Sequence, residues 1–299
     1  MLHSAKGAAE KRVALRARLA SGEILVLPGA FNPLSAMLIE QKGFEGVYVS
    51  GAALAADLGL PDVGLTTLSE VTLRSQQIAR VTDRPVIVDA DTGFGEPMNV
   101  ARTVQSLEDA GVAGLHVEDQ VNPKRCGHLD GKAVVELADA TRRVRAACDA
   151  RRDPNFLIVA RTDARALEGL DATIARARAY VEAGADAIFP EALLSAKEFA
   201  TLRAALDVPI LANMTEFGKG LSLSVAQLGE LGVDMVIFPV SLLRLAMGAA
   251  DRALDLLGRE GTLSAMLGEM QTRTELYDLL DYESFNAFDR SVFDFTIGT

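Results

Sequence analysis

Eight short apolar runs recur along the chain, and each closes on a polar or turn residue. They are Ile24–Leu27 before Pro28-Gly29, Gly46–Val49 before Ser50-Gly51, Val86–Val88 before Asp89, and Gly114–Val117 before Glu118-Asp119. Leu157–Ala160 before Arg161-Thr162-Asp163, Ala187–Phe189 before Pro190-Glu191, Pro209–Ala212 before Asn213, and Met235–Phe238 before Pro239 complete the set. Between them lie helical patterns: 33–42, 67–82, 98–110, 135–150, 170–183, 196–205 and 224–231. Several stop at a glycine, as at Gly43, Gly111, Gly184 and Gly232. Near-continuous apolar strands alternating with helices mean parallel strands buried on both faces. Eight units predict an α/β fold, a (β/α)8 TIM-type barrel over residues 24–258. An extra helix precedes it, a helical extension follows over 259–299, and the whole forms a single domain. An open doubly wound sheet would carry a G-x-G-x-x-G turn after its first strand, and Pro28-Gly29-Ala30-Phe31 has none.

Barrel enzymes build their sites at the carboxyl ends of the strands. Here those ends collect Tyr48, Ser50, Asp89, Asp91, His116, Glu118, Arg161, Asp163, Glu191, Asn213 and Thr215. In Val88-Asp89-Ala90-Asp91 two carboxylates stand at i and i+2, on one side of an extended strand. A carboxylate at the mouth of a buried strand must be hydrated, paired or metal-bound. Hard oxygen ligands suit Mg²⁺ or Mn²⁺. The alternative is that Asp91 caps the next helix and Asp89 pairs with a Lys or Arg.

A net charge of −11 argues against nucleic acid and anionic membrane as partners, so an anionic substrate would rely on a few local arginines. No apolar run approaches the ~20 residues of a membrane span. Two cysteines fit a reducing, cytoplasmic setting. The Arg- and Ala-rich stretch 5–19 could pass for a transit peptide. The absence of a spacer before Ile24 favours an ordinary helix.

Residues 119–132 show no periodicity, and a loop of that length in a compact barrel is usually a lid or binding loop. It places Cys126 between Lys124-Arg125 and Gly127-His128, and nearby cations favour thiolate character. Cys148 reads as an ordinary helical residue. Six of the chain's sixteen aromatics follow residue 276, so this tail must cover the barrel exterior or another subunit.

The segments 88–95, 116–120, 124–128, 160–164 and 213–217 together resemble the isocitrate lyase/phosphoenolpyruvate mutase superfamily. The resemblance runs from about Leu25 to Tyr277. It is strongest to members that cleave 2-methylisocitrate, a tricarboxylate, to pyruvate and succinate. It implies a Mg²⁺-dependent barrel, typically a homotetramer whose last helices pack on a neighbouring barrel. By position, Asp89, Asp91 and Glu118 resemble metal ligands. Cys126, Tyr48, Glu118 and His128 resemble catalytic groups, with Cys126 as the acid that protonates the departing carbon and Tyr48 as a base. Ser50, Gly51, Ala52, Gly127, Arg161, Glu191, Asn213, Thr215, Arg244 and Arg273 resemble substrate contacts, with Ala52 standing where the family would place glycine. Other activities of the superfamily, such as isocitrate lyase or oxaloacetate decarboxylase, are the alternatives, and a non-catalytic barrel binding a metal–carboxylate ligand is a third.

Overall fold

The computed structural model describes residues 4–127, 131–218 and 220–295. Its eight strands are β1 (Leu25–Pro28), β2 (Val47–Val49), β3 (Val86–Asp89), β4 (Gly114–Glu118), β5 (Leu157–Thr162), β6 (Ala187–Pro190), β7 (Leu211–Asn213) and β8 (Met235–Phe238). All ladders are parallel. They form two arcs, β2-β3-β4-β5-β6 and β1-β8-β7. Single bridges join the arcs, Gly29 with Tyr48 and Ile188 with Ile210, so the ring of strands closes. The expected barrel is what the chain builds.

Side chains alternate along each strand, so every second residue points into the barrel. The interior layer is Leu25 and Leu27, Tyr48, Ile87, Leu157 and Val159, Ala187 and Phe189, Leu211, Met235 and Ile237. The intervening residues, such as Val86, Val88, Ile158, Ile188 and Val236, face the helices in two outer clusters. Both faces of each strand are therefore apolar, which is why the strands read as unbroken hydrophobic runs.

The first helix, Ala8–Leu19, begins without a spacer and docks against the barrel. Leu15 enters the interior cluster. The Arg12 guanidinium donates to the carbonyls of Val112 (3.0 Å) and Glu108 (2.6 Å) and pairs with Asp153. Two helices were not legible beforehand, Gly51–Asp57 and Arg165–Glu168, each a turn or two long.

The helix Ser241–Glu260 follows β8 with only Leu256 buried. Its apolar side lies open, with Leu245 71% and Leu254 68% exposed. A short 3-10 segment and the helices Arg273–Leu279 and Tyr282–Phe293 follow. Their aromatics, Tyr277, Tyr282, Phe285, Phe288 and Phe293, remain exposed. The helix Arg273–Leu279 touches the barrel helix Pro33–Gln41 and buries Leu279, while the aromatic side chains stay exposed. Among the described residues no helix is long and apolar enough to cross a membrane.

Candidate active site

The inward file of β3, β5, β6 and β7 changes character at its carboxyl end. Ile87 is followed two residues on by Asp89, Val159 by Arg161, Phe189 by Glu191 and Leu211 by Asn213. On β4 the file is Gly114, His116, Glu118. One alternation thus supplies both the aliphatic floor and the ionisable rim.

Strand register then decides the pairs. Asp89 is level with His116, and Oδ1 of Asp89 lies 3.7 Å from Nε2 of His116. Glu118 is level with Arg161, and its Oε2 lies 3.1 Å from Nε of Arg161. Arg161 is level with Phe189, and its guanidinium sits over that ring at 5.0 Å. Arg161 also chelates Asp163 (2.9 and 3.2 Å) and reaches Glu191 at 3.3 Å. Asn213 donates to Glu191 at 3.3 Å. The Tyr48 hydroxyl and Nε2 of His116 are 2.7 Å apart.

The two carboxylates of the Asp89–Asp91 pair converge, but not by strand geometry. β3 ends at Asp89, and Asp91 has φ 46°, a left-handed turn. The Asp91 N–H donates back to Oδ1 of Asp89 at 3.0 Å, and the Gly51 N–H donates to Oδ2 at 3.2 Å. A Cβ on Gly51 would lie 3.0 Å from Asp89 Oδ2 and 3.3 Å from Asp91 Oδ1, so both acids face this glycine. Ser50 caps the helix that begins there, accepting from the Ala53 N–H at 3.3 Å. That cap holds the Gly51 amide towards Asp89.

Burial and charge set the protonation states. Burial opposes the charge of Asp89, but His116, Lys124, Arg161 and the Asp91 amide hold its carboxyl below the usual range. Burial pushes Asp91 up to about 6 despite Lys124, and pushes Glu118 well up despite Arg161. Burial lowers His116 to about 4, and raises Tyr48 well above its ordinary value with Asp89 adding to the effect.

A cleft of about 80 Å³ opens at the centre of this ring. Tyr48, Ser50, Ala52, Asp89, Cys126, Gly127, Arg161, Glu191, Asn213, Thr215 and Arg244 all line it. The structure therefore brings most of the expected residues together. Gly51 stands just behind through its amide. Glu118 lies beside Arg161, buried, and among the described residues neither of its oxygens accepts a hydrogen bond. Asp91 faces a wider cavity of about 640 Å³ with Thr66, Asn99 and Arg102.

Two expectations need correction. Arg273 does not reach the cleft of its own chain. It is exposed at the start of the helix Arg273–Leu279, beyond a twenty-residue helix that leaves the barrel. The two cations that precede Cys126 have partners of their own. The Lys124 ammonium pairs with Asp91 (2.7 Å) and Asp62, and Arg125 donates to the carbonyls of Pro123 and Lys124. Glu118 does not complete a three-carboxylate metal cage, since among the described residues no three His, Cys, Asp or Glu side chains converge on one point. His128 lies outside the described residues.

Asp62 was missed. It arrives at the rim from the turn Pro61-Asp62-Val63-Gly64, and its Pro-Asp-x-Gly pattern marked a turn without marking what the turn faces. Phe189 was read only as core, yet it walls the cleft and carries Arg161.

The residues present fit a divalent cation held in part by water and substrate. Five buried acids, Asp89, Asp91, Glu118, Asp163 and Glu191, face three buried cations, Lys124, Lys132 and Arg161. That leaves two negative charges uncompensated. Burying charge without a partner is costly, so the acids either take up protons or meet a cation. Mg²⁺ characteristically uses one or two carboxylates and completes its shell with water and substrate oxygens. Asp89 and Asp91, adjacent and facing one glycine, are the pair placed for that role.

The phosphoenolpyruvate phosphomutase family model matches residues 15–257. A probable 2-methylisocitrate lyase of Corynebacterium glutamicum is 58% identical, covering 99% of this chain and 96% of its own length. The 2-methylisocitrate lyase of Escherichia coli is 45% identical over 93% of this chain and 96% of its own length. Among solved structures, a 2,3-dimethylmalate lyase superposes with a TM-score of 0.88 at 34% identity, covering 99% of this chain and all of its own. Phosphonopyruvate hydrolase, solved with oxalate and Mg²⁺, gives 0.85 at 30% identity over 94% of this chain and 98% of its own.

Proposed function

The chain belongs to the isocitrate lyase/phosphoenolpyruvate mutase superfamily, and we propose that it cleaves 2-methylisocitrate to pyruvate and succinate by a Mg²⁺-dependent retro-aldol reaction, as a lyase of the methylcitrate cycle. The observation that carries the reading is the position of Cys126 on the same small cleft as Asp89, Tyr48 and Arg161. Cleavage needs a base at the substrate hydroxyl, charge stabilisation for the departing carbon and an acid to quench it.

Each need has a residue. Asp89 and Asp91 would hold the cation, with Mn²⁺ an equally suitable occupant, and the cation supplies Lewis-acid polarisation of the hydroxy-acid oxygens. Arg161 and Arg244, both on the cleft wall, bind substrate carboxylates, and Ser50, Asn213 and Thr215 offer hydrogen bonds. Tyr48 takes the hydroxyl proton as it passes its own phenol proton to Nε2 of His116, 2.7 Å away, and regains that proton once the hydroxyl proton is released. Neutralising Asp89 with a cation removes one of the causes that hold this phenol protonated. As the carbon–carbon bond breaks, its electron pair passes to the succinate side. The Cys126 thiol then delivers a proton to that carbon and becomes thiolate, and solvent carries the Tyr48 proton back to it. Glu118 holds Arg161 at 3.1 Å.

We also propose a homotetramer in which the exposed faces of Ser241–Glu260 and of the tail cover a neighbouring barrel, so that light scattering gives four times the chain mass.

The test is pyruvate release from 2-methylisocitrate, isocitrate, 2,3-dimethylmalate and oxaloacetate in the presence of Mg²⁺. The methyl compound should give the highest kcat/KM. A single methyl is worth only ~1–3 kcal/mol, so slow isocitrate cleavage accords with the proposal. A higher kcat/KM for any of the other three acids would replace this substrate.

A further inference from the structure

The main chain on both sides of Cys126 is gripped by buried side chains from the two ends of its own loop. The loop's neck is closed by backbone pairing. Gln120 bridges Val134 in antiparallel fashion, and the N–H groups of Val121 and Val135 donate to the carbonyls of Ala133 and Asp119. From one side of the neck comes Gln120, fully buried. Its amide NH₂ donates to the Arg125 carbonyl at 2.8 Å, and its carbonyl accepts from the Arg125 N–H at 2.9 Å. From the other comes Lys132, whose buried ammonium donates to the Gly127 carbonyl at 2.5 Å and to Asp163 at 2.8 Å. Asp163 in turn chelates Arg161.

We propose that Gln120 and Lys132 are positioning residues that together fix Cys126 over the cleft, Lys132 also tying the Gly127 carbonyl to the Arg161–Asp163 pair. A reciprocal amide pair on residue 125 and a charge-assisted bond on residue 127 leave the intervening residue little freedom. A neutral hydrogen bond contributes about 0.5–1.5 kcal/mol and a charged one about 1.5–3, so the two grips suffice to hold one conformation of a short segment. The inference rests on Cys126 being the proton donor. Proton transfer is sensitive to placement, and a displacement of about 1 Å can cost ~10²-fold.

The experiment compares Lys132→Met and Gln120→Leu with wild type, with Lys132→Arg and Gln120→Glu as conservative partners, in the Mg²⁺-loaded enzyme. Two readouts are taken, steady-state kinetics and the rate of Cys126 alkylation by iodoacetamide, mapped by mass spectrometry with Cys148 as internal reference. The expected result is a fall in kcat of roughly 10²-fold with KM changed far less. Cys126 alkylation should change at least fivefold while Cys148 does not, and the conservative partners should recover part of both effects. Turnover within threefold of wild type and unchanged alkylation in the two disruptive variants would overturn the proposal. If a disruptive variant fails to fold, its conservative partner carries the test, since loss of one donor geometry should still shift both readouts. If wild type shows no lyase activity and the alkylation shifts remain, the functional reading fails and the grip on Cys126 stands.

Discussion

Glu118 and Arg161 are level across the β4–β5 ladder, and their side chains meet at 3.1 Å beneath the cleft. Arg161 is thus held by three carboxylates, Glu118, Asp163 and Glu191, while it also lines the cleft. Arg161→Lys keeps the charge but loses the planar fork that serves several partners at once. Its kcat/KM should fall roughly 10²-fold or more, and urea unfolding should show a loss of about 1–3 kcal/mol as the acids lose hydrogen bonds. Unchanged kinetics with lowered stability would make Arg161 a purely structural residue.

Gly127 has no room for a side chain. A Cβ there would stand 2.5 Å from Nη2 of Arg161 and 2.6 Å from Cγ of Glu191, both fixed by their mutual ion pair. Gly127→Ala should lift the loop off the pair and cut kcat by about 10²-fold, with thermal stability little changed because the loop lies above the core. Near-normal turnover would show that the loop relaxes without cost.

Much of this was legible in the chain, and the reasons for the rest are physical. Short unbroken apolar runs announced every strand, and the polar residues that close most of them announced the rim. The convergence of Asp89 and Asp91 was anticipated, but for a different reason. The pleat does not bring them together; a left-handed turn at Asp91 and the Gly51 amide do. The helix Gly51–Asp57 was hidden because Ala-rich sequence between glycines has no amphipathic stripe to read. Lys132 and Asp62 act through space, 31 and 62 residues from their partners Asp163 and Lys124, and no local pattern encodes such pairing. Arg273 matched the superfamily by position, whereas the path of the chain beyond β8 keeps it from its own cleft.

The metal account predicts a stability effect separable from catalysis. Mg²⁺ at about a hundredfold excess over its Kd should add ~2.7 kcal/mol to unfolding free energy, and chelation should abolish turnover reversibly. Asp91→Asn should fold, lose most of the Mg²⁺-dependent shift in Tm and lose activity. A variant that keeps both the shift and near-normal turnover would remove Asp91 from the metal site.

The two thiols should separate cleanly. Burial pushes Cys148 up to about 11, so at pH 8 it is almost wholly protonated and alkylates slowly. Its folded pKa lies above the ordinary thiol value. The stabilisation from keeping it neutral is therefore intact below about pH 9 and is lost as pH rises toward 11. Cys148→Ser should leave turnover unchanged. Rapid alkylation of Cys148 at pH 8 in the folded enzyme would contradict the burial seen here.

The most direct test of the account is single-turnover cleavage of 2-methylisocitrate by Cys126→Ser, with substrate affinity measured in parallel. Serine keeps the size of cysteine but is a far weaker acid, and a placed proton donor is typically worth ~10²–10⁴-fold. The account predicts a fall of that order in the cleavage rate with substrate Kd within a few-fold of wild type. A cleavage rate within threefold of wild type would show that another group protonates the product carbon.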